Sequence, residues 1–475
     1  MSSYSGFTAA IWSFVERLSS QVVSFGIGVV LARLLSPYDY GVVGLTAIFI
    51  ALSNVFIDAG FANALIRNQH RTEKDLSTAF YFNVVIGILA YSLLWIATPT
   101  IADWFKEPLL IPLLKIVGLN VVFNSLCIVQ TAILTAKLNI RLQTIINLSA
   151  QIPAGIIAVW MAYRGMGVYA LALQTVLSSL IKVVLLWVLA KWFPRERFSR
   201  DSFLELWSFG SKLLGANLIG TLFSQIYSVI IGKYVGKKEL GYFSKANGLC
   251  SNVDGVTSGI VQKVALPVLS RYQEDKEELT KKFRTIMRLL VMMIAPMTAI
   301  LCFSSDEIII LLWTKKWLYC SLLFKVLIVG IMFGPLGQMS LSLMQTVGKT
   351  SMILKLEMPK KVLYCIYIII GFQYGVLGLA VAQVFINISG SLVNMWATKK
   401  ILPYSYWGQI KDIVGYMILA FGIGAVVSKC IHSENLMLVF MVKAIMILLT
   451  YMLFLIVSKD NVLMQYIIRF KKTKK

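Results

Sequence analysis

Residues 33–41 read RLLSPYDYG, and residues 233–241 read KYVGKKELG. Each string closes a long apolar run, opens on a cation, carries an acid at its seventh place and ends in glycine, so that Arg33 answers Lys233, Asp39 answers Glu239 and Gly41 answers Gly241. A second echo pairs RGMGVYALALQ (164–174) with FQYGVLGLAVAQ (372–383), where Gly167 and Val168 match Gly375 and Val376. Two echoes at nearly equal offset, each following an apolar run of the same sense, predict two six-helix halves related by an axis along the membrane normal.

The composition sets those runs in a bilayer. The chain has 475 residues, 58% hydrophobic and only 14% charged, against about 25% charged in an ordinary soluble domain. A hydrocarbon core of roughly 30 Å needs about 20 apolar residues per helix. Such runs lie near 7–32, 40–66, 78–104, 109–135, 142–163, 166–192, 203–232, 240–269, 286–314, 317–346, 353–373, 376–398, 410–430 and 435–457. The expected fold is all-α and polytopic, with about fourteen transmembrane helices. Its domains are an N-terminal six-helix bundle over 1–192, a cytoplasmic linker at 193–202, a C-terminal six-helix bundle over 203–400, and two additional helices with a basic cytoplasmic tail over 401–475.

The net charge of +23 does not point to nucleic acid, whose readers gather Lys and Arg on one folded face. Here the basic residues crowd into alternate connections between apolar runs, which places both termini in the cytoplasm. Two of those inner loops are long. KWFPRERFSRDS (191–202) reads as a linker, and RYQEDKEELTKKFRTIMR (271–288) as a short amphipathic segment with Glu277–Lys281 and Glu278–Lys282 pairs. The six cysteines lie singly, mostly in apolar runs, and read as small buried residues. With only His70 and His432 present, no metal site is expected.

Several strings are distinctive beyond hydropathy: LARLLSPYDYGVVGL (31–45), FIDAGFANALIRNQHRTEKDLSTAFYFN (56–83), IIGKYVGKKELGYFSKA (230–246) and LPVLSRYQEDKEELTKKFRTIMRLL (266–290). They resemble Wzx-type polysaccharide and O-antigen flippases, the lipopolysaccharide-biosynthesis branch of the multidrug/oligosaccharidyl-lipid/polysaccharide exporter superfamily. The likeness covers about residues 5–400 and implies two six-helix bundles in a V with alternating access. It also implies a polyprenyl-pyrophosphate-linked oligosaccharide as cargo, turned from inner to outer leaflet, with a polysaccharide polymerase and glycosyltransferases as partners. No cofactor is implied.

A charge at membrane depth costs a few kcal/mol, so each one must face a cavity or a partner. The candidates are Glu16, Arg17, Asp58, Lys182, Lys212, Lys245, Asp254, Lys263, Lys325 and Lys443. Pyrophosphate calls for Lys or Arg, which makes Arg17 and Lys212 the first choices for substrate binding, with Lys245 and Lys263 beside them. Proton or sodium coupling calls for a carboxylate whose charge changes with state; Glu16 and Asp254 qualify, with Asp58 third. Lys182, Lys325 and Lys443 are expected to snorkel or to pair structurally. VGKT (347–350) is no phosphate-binding loop, because Leu343 stands where that pattern needs glycine. FGIG (25–28) lies inside an apolar run, where small residues allow close helix packing. An organic-cation antiporter of the same superfamily would line its cavity with acids, whereas the candidate helices here carry more Lys and Arg.

Overall fold

The computed structural model describes residues 3–68, 70–431, 433–460 and 464. His432 and the end of the basic tail lie outside the described residues. All fourteen apolar runs are helical, and four of them are broken in two. Among the described residues there are no strands.

The first nine helices are α1 (Ser3–Leu34), α2 (Pro37–Asp58), α3 (Phe61–Arg67), α4 (Glu73–Phe105), α5 (Leu110–Ser125), α6 (Ile128–Ala136), α7 (Ile140–Tyr163), α8 (Val168–Ala190) and α9 (Arg200–Ile230). A π-helical turn (Ile231–Val235) follows. The others are α10 (Lys237–Ser270), α11 (Lys276–Phe303), α12 (Ser305–Trp313), α13 (Leu318–Ile331), α14 (Gly334–Thr346), α15 (Thr350–Phe372), α16 (Gly375–Thr398), α17 (Tyr406–Cys430) and α18 (Leu436–Val457). Among the described residues eleven helices are long and apolar enough to cross a membrane, or twelve with the bent pair α5–α6 taken as one span. Helices α10 and α15 fall short of that measure because they are polar: α10 holds Lys245, Asp254 and Lys263, and α15 holds Lys355, Glu357, Lys360 and Lys361. Elsewhere the helices turn large apolar side chains outward, Ile96 at 74% and Val457 at 73% exposure among them. In water such a surface would aggregate; in a bilayer it is the lipid face.

By compactness the chain divides into two units, Met1–Gly241 and Tyr242–Lys475. The sequence sets a linker at 193–202, yet α9, which follows it, packs on α2, α3 and α4. The reason is steric and aromatic. Gly210 of α9 lies against the backbone between α2 and α3, where an added Cβ would run into the Ala59 carbonyl. Phe203 and Trp207 ring the fully buried Phe61, with centroids 6.0 and 6.4 Å away.

The repeated turn is a helix start that meets its own copy. Ser36 caps α2 in a capping box: its hydroxyl accepts from the Asp39 N–H, and its own N–H donates to Asp39 Oδ2 at 2.8 Å. Gly236 precedes α10 and Glu239 lies in its first turn, in the corresponding places, with the Glu239 carboxylate folded back over Gly236. The repeated spacing of acid and turn therefore sets an acid in the first turn of each helix, where it faces the positive helix end. A Cβ added at Gly41 would strike the Lys237 carbonyl, and one added at Gly241 would strike the Pro37 carbonyl. Each imagined Cβ also lies 3.2 Å from the other glycine's nitrogen. The cations of the second copy serve a third helix end. Lys233 donates to the Trp104 carbonyl and Lys237 to the Phe105 carbonyl at 2.9 Å, which satisfies orphan acceptors at the negative end of α4. The second echo also repeats a local conformation, since Gly167 and Gly375 open α8 and α16 with φ of 52° and 66°.

The second unit keeps its last two helices in its core. Tyr416, Ala420 and Tyr451 of α17 and α18 are buried together with Leu279, Phe283 and Met287 of α11. The pair α17–α18 is therefore no appendage. The 271–288 stretch also differs from expectation: α11 runs unbroken from Lys276, and its apolar side is buried core instead of membrane surface. Its first turns pair Glu278 with Lys281 at 3.0 Å, while Lys282 lies over Tyr272. Neither expected i,i+4 pair forms. All six cysteines are free, with Cys127, Cys250 and Cys320 buried as expected and Cys365 and Cys430 exposed.

Candidate functional site

In the first unit, two helices break beside one another. Helix α2 stops at Asp58, after which Ala59 and Gly60 both take left-handed backbone (φ 42° and 77°) before α3 begins. Helices α5 and α6 meet at a 42° bend around Leu126 and Cys127. The α3–α6 packing brings the two breaks together. Broken membrane helices free backbone and polar side chains, and they recur where transporters bind cargo.

Between the breaks lies a cavity of about 690 Å³. Helix α2 contributes Asn54 and Asp58. Helices α5 and α6 contribute Asn124, Thr131 and Thr135, and α8 contributes Lys182. Helix α9 closes the lining with Asn217, Gly220, Thr221 and Ser224. The polar residues recur at three- and four-residue steps, 54/58 on α2, 131/135 on α6 and 217/221/224 on α9, which sets each group on one helix face. Within the lining, Asn124 Nδ2 donates to Asn54 Oδ1 at 3.1 Å. Asp58 Oδ1 accepts the Ala62 N–H at 3.1 Å, so the carboxylate caps α3 with one oxygen. The Lys182 ammonium, half-buried, makes no ion pair among the described residues.

Of the seven residues assigned to substrate binding or ion coupling, Asp58 alone lines this cavity. Glu16 takes a hydrogen bond from Asn147 Nδ2 of α7 at 2.8 Å, and Arg17 is exposed. Lys212 of α9 is exposed and lies outside the lining. In the second unit, Lys245 is held over the Trp313 ring at 5.1 Å, and Lys263 is exposed on α10. Asp254 accepts from Ser258 at 2.9 Å and occupies the space that Gly334 leaves open at the start of α14. Gly26 and Gly28 face open space, and the close approach in α1 is made instead by Gly155 of α7 against Ile27.

Two of the three lysines expected to pair do so. Lys443 meets Glu307 at 2.7 Å and Lys325 meets Asp306 at 2.6 Å. Lys182 does not, and it is the functional candidate that sequence reasoning set aside. The helical spacing of the polar residues in otherwise apolar runs is the signal that could have found this lining.

Comparison with known proteins places the chain. The profile of a family described as polysaccharide biosynthesis protein matches residues 30–322. The chain is similar to the succinoglycan biosynthesis transport protein ExoT of Rhizobium meliloti (strain 1021), with 24% identity over 65% of this chain and 62% of that protein, just under two thirds of its length. It is similar to the teichuronic acid biosynthesis protein TuaB of Bacillus subtilis (strain 168), with 22% identity over 88% and 87% of the two chains. The lipopolysaccharide biosynthesis protein WzxC of Escherichia coli (strain K12) is 22% identical over 86% of this chain and 81% of that protein. Among solved structures, the lipid II flippase MurJ in an inward closed conformation superposes with a TM-score of 0.73 at 17% identity, over 95% of this chain and 100% of that one. An inward-facing multidrug resistance MATE transporter of the MOP superfamily gives a TM-score of 0.60 at 16% identity, over 82% and 98%. At such identities the structural likeness speaks for the fold. Together these findings bear out the resemblance drawn from the sequence strings.

Proposed function

The chain belongs to the polysaccharide biosynthesis protein family, and from that membership we propose that it flips a polyprenyl-pyrophosphate-linked oligosaccharide from the inner to the outer leaflet for surface polysaccharide synthesis. The observation that carries this reading is the polar cavity set between broken helices inside an otherwise apolar bundle, in a fold like that of a lipid flippase. Groups that cost free energy at membrane depth are retained there because a polar cargo must pass.

In this reading the chain crosses the inner membrane fourteen times with both termini in the cytoplasm, and its two six-helix bundles form a V. Arg17 and Lys212, with Lys245 and Lys263, receive the pyrophosphate by charge-assisted hydrogen bonds. A carboxylate among Glu16, Asp254 and Asp58 couples flipping to a proton or sodium gradient. The protein transports and catalyses no bond change.

The test is reconstitution into vesicles with a fluorescent pyrophosphate-linked oligosaccharide, following its movement between leaflets with and without an imposed gradient. Native protein is expected to equilibrate the label, and Arg17→Gln with Lys212→Gln to slow it at least tenfold at equal protein level. Movement no faster than in protein-free vesicles would reject the flippase reading.

A further inference from the structure

The cavity of the first unit holds one carboxylate, Asp58, and one ammonium, Lys182, and neither pairs with an ion among the described residues. The same lining holds the carboxamides of Asn54, Asn124 and Asn217 and the hydroxyls of Thr131 and Thr221. Among the described residues no aromatic side chain lines it. At about 690 Å³ it lies within the range of small-ligand sites, roughly 300–1,000 Å³, with room for a disaccharide and not for a lipid tail of many prenyl units. Amides and hydroxyls suit a polyhydroxylated ligand because each ring hydroxyl needs both a donor and an acceptor. The free oxygen of Asp58 can accept from one ring hydroxyl while its other oxygen stays on Ala62.

Lys182 sets the specificity. An ammonium at membrane depth with no acid beside it is retained only where something pairs with it. We propose that this cavity is a saccharide subsite for an acidic sugar, in which Lys182 pairs with the sugar carboxylate and Asp58 with the asparagines reads the ring hydroxyls. The subsite is separate from the phosphate-binding cations of the flipping reading. It rests on that reading for its physiological cargo and not for its chemistry. The same ammonium would also attract pyrophosphate, so a test must tell the two anions apart.

Binding of soluble probes to the full-length protein in detergent decides the matter without any transport step. Cellobiouronic acid, neutral cellobiose and inorganic pyrophosphate would be titrated by calorimetry. The native protein is expected to bind the uronate at least tenfold more tightly than the neutral disaccharide. Lys182→Gln should remove that preference and leave neutral binding within twofold, Lys182→Arg should keep it, and Asp58→Asn should weaken both disaccharides severalfold. A preference that survives Lys182→Gln would overturn the proposal. So would saccharides that fail to bind while pyrophosphate binds through Lys182. Native protein that shows the expected pattern yet flips no lipid-linked saccharide in vesicles would support the subsite and reject the transport reading.

Discussion

Two groups of charges at membrane depth, one in each unit, are held in different ways. In the second unit several charges are mated: Lys443 with Glu307, Lys325 with Asp306, and both Arg284 and Arg288 with Asp412. Tyr404 donates to the same Asp412 carboxylate at 2.5 Å, and burial together with that bond pushes its hydroxyl above the usual phenol range, so it stays a donor. In the first unit Asp58 and Lys182 share a cavity and have no ionic partner among the described residues. An unfavourable charge can thus be kept for two different reasons. One kind fastens helices, and the other is left open to something that enters.

The comparison breaks most readily at the buried pair. Lys443→Met strands the Glu307 carboxylate, whose side chain is 12% exposed, and is expected to destabilise by about 3–5 kcal/mol. Lys443→Met with Glu307→Leu should recover most of that loss, because the desolvation cost disappears with the pair. Thermal unfolding in detergent, followed by tryptophan fluorescence, reads both. A double variant no better than the single one would mean that the pair is not the fastening.

A smaller effect is expected at the paired turns. Gly41→Ala or Gly241→Ala pushes a methyl into a backbone carbonyl that no side-chain rotation can clear, at roughly 1–3 kcal/mol. Unchanged melting in both variants would show that the helix starts move apart without cost. Least of all, Lys182→Gln and Asp58→Asn are expected to shift stability by less than about 1 kcal/mol, since Lys182 fastens nothing and asparagine caps a helix nearly as well as aspartate. If Lys182→Gln cost as much as Lys443→Met, the contrast between the units would fail.

Much of this was legible before any coordinates. Fourteen apolar runs became helices because backbone hydrogen bonds have no alternative in lipid. The echo of residues 33–41 in 233–241 marked a repeated turn, and the structure shows a helix starting at both copies. The breaks were less legible. Asp58–Gly60 and Leu126–Cys127 sit inside continuous apolar runs, and hydropathy is blind to a change of backbone direction. The role of Lys182 was hidden for another reason. Whether an intramembrane lysine finds an acid depends on which helices lie beside it, and local sequence does not say; Lys325 and Lys443 looked the same and found partners.

The reciprocal contact of Gly41 and Gly241 has a consequence for mutational tolerance. At each position the space for a side chain is taken by backbone of the opposite turn, so compensation by trimming a neighbour is unavailable. In a library randomised codon by codon, both sites should return glycine alone. Gly26, Gly215 and Gly248 face open space and should return alanine and serine freely, so two positions 200 residues apart would share one strict profile that these three lack.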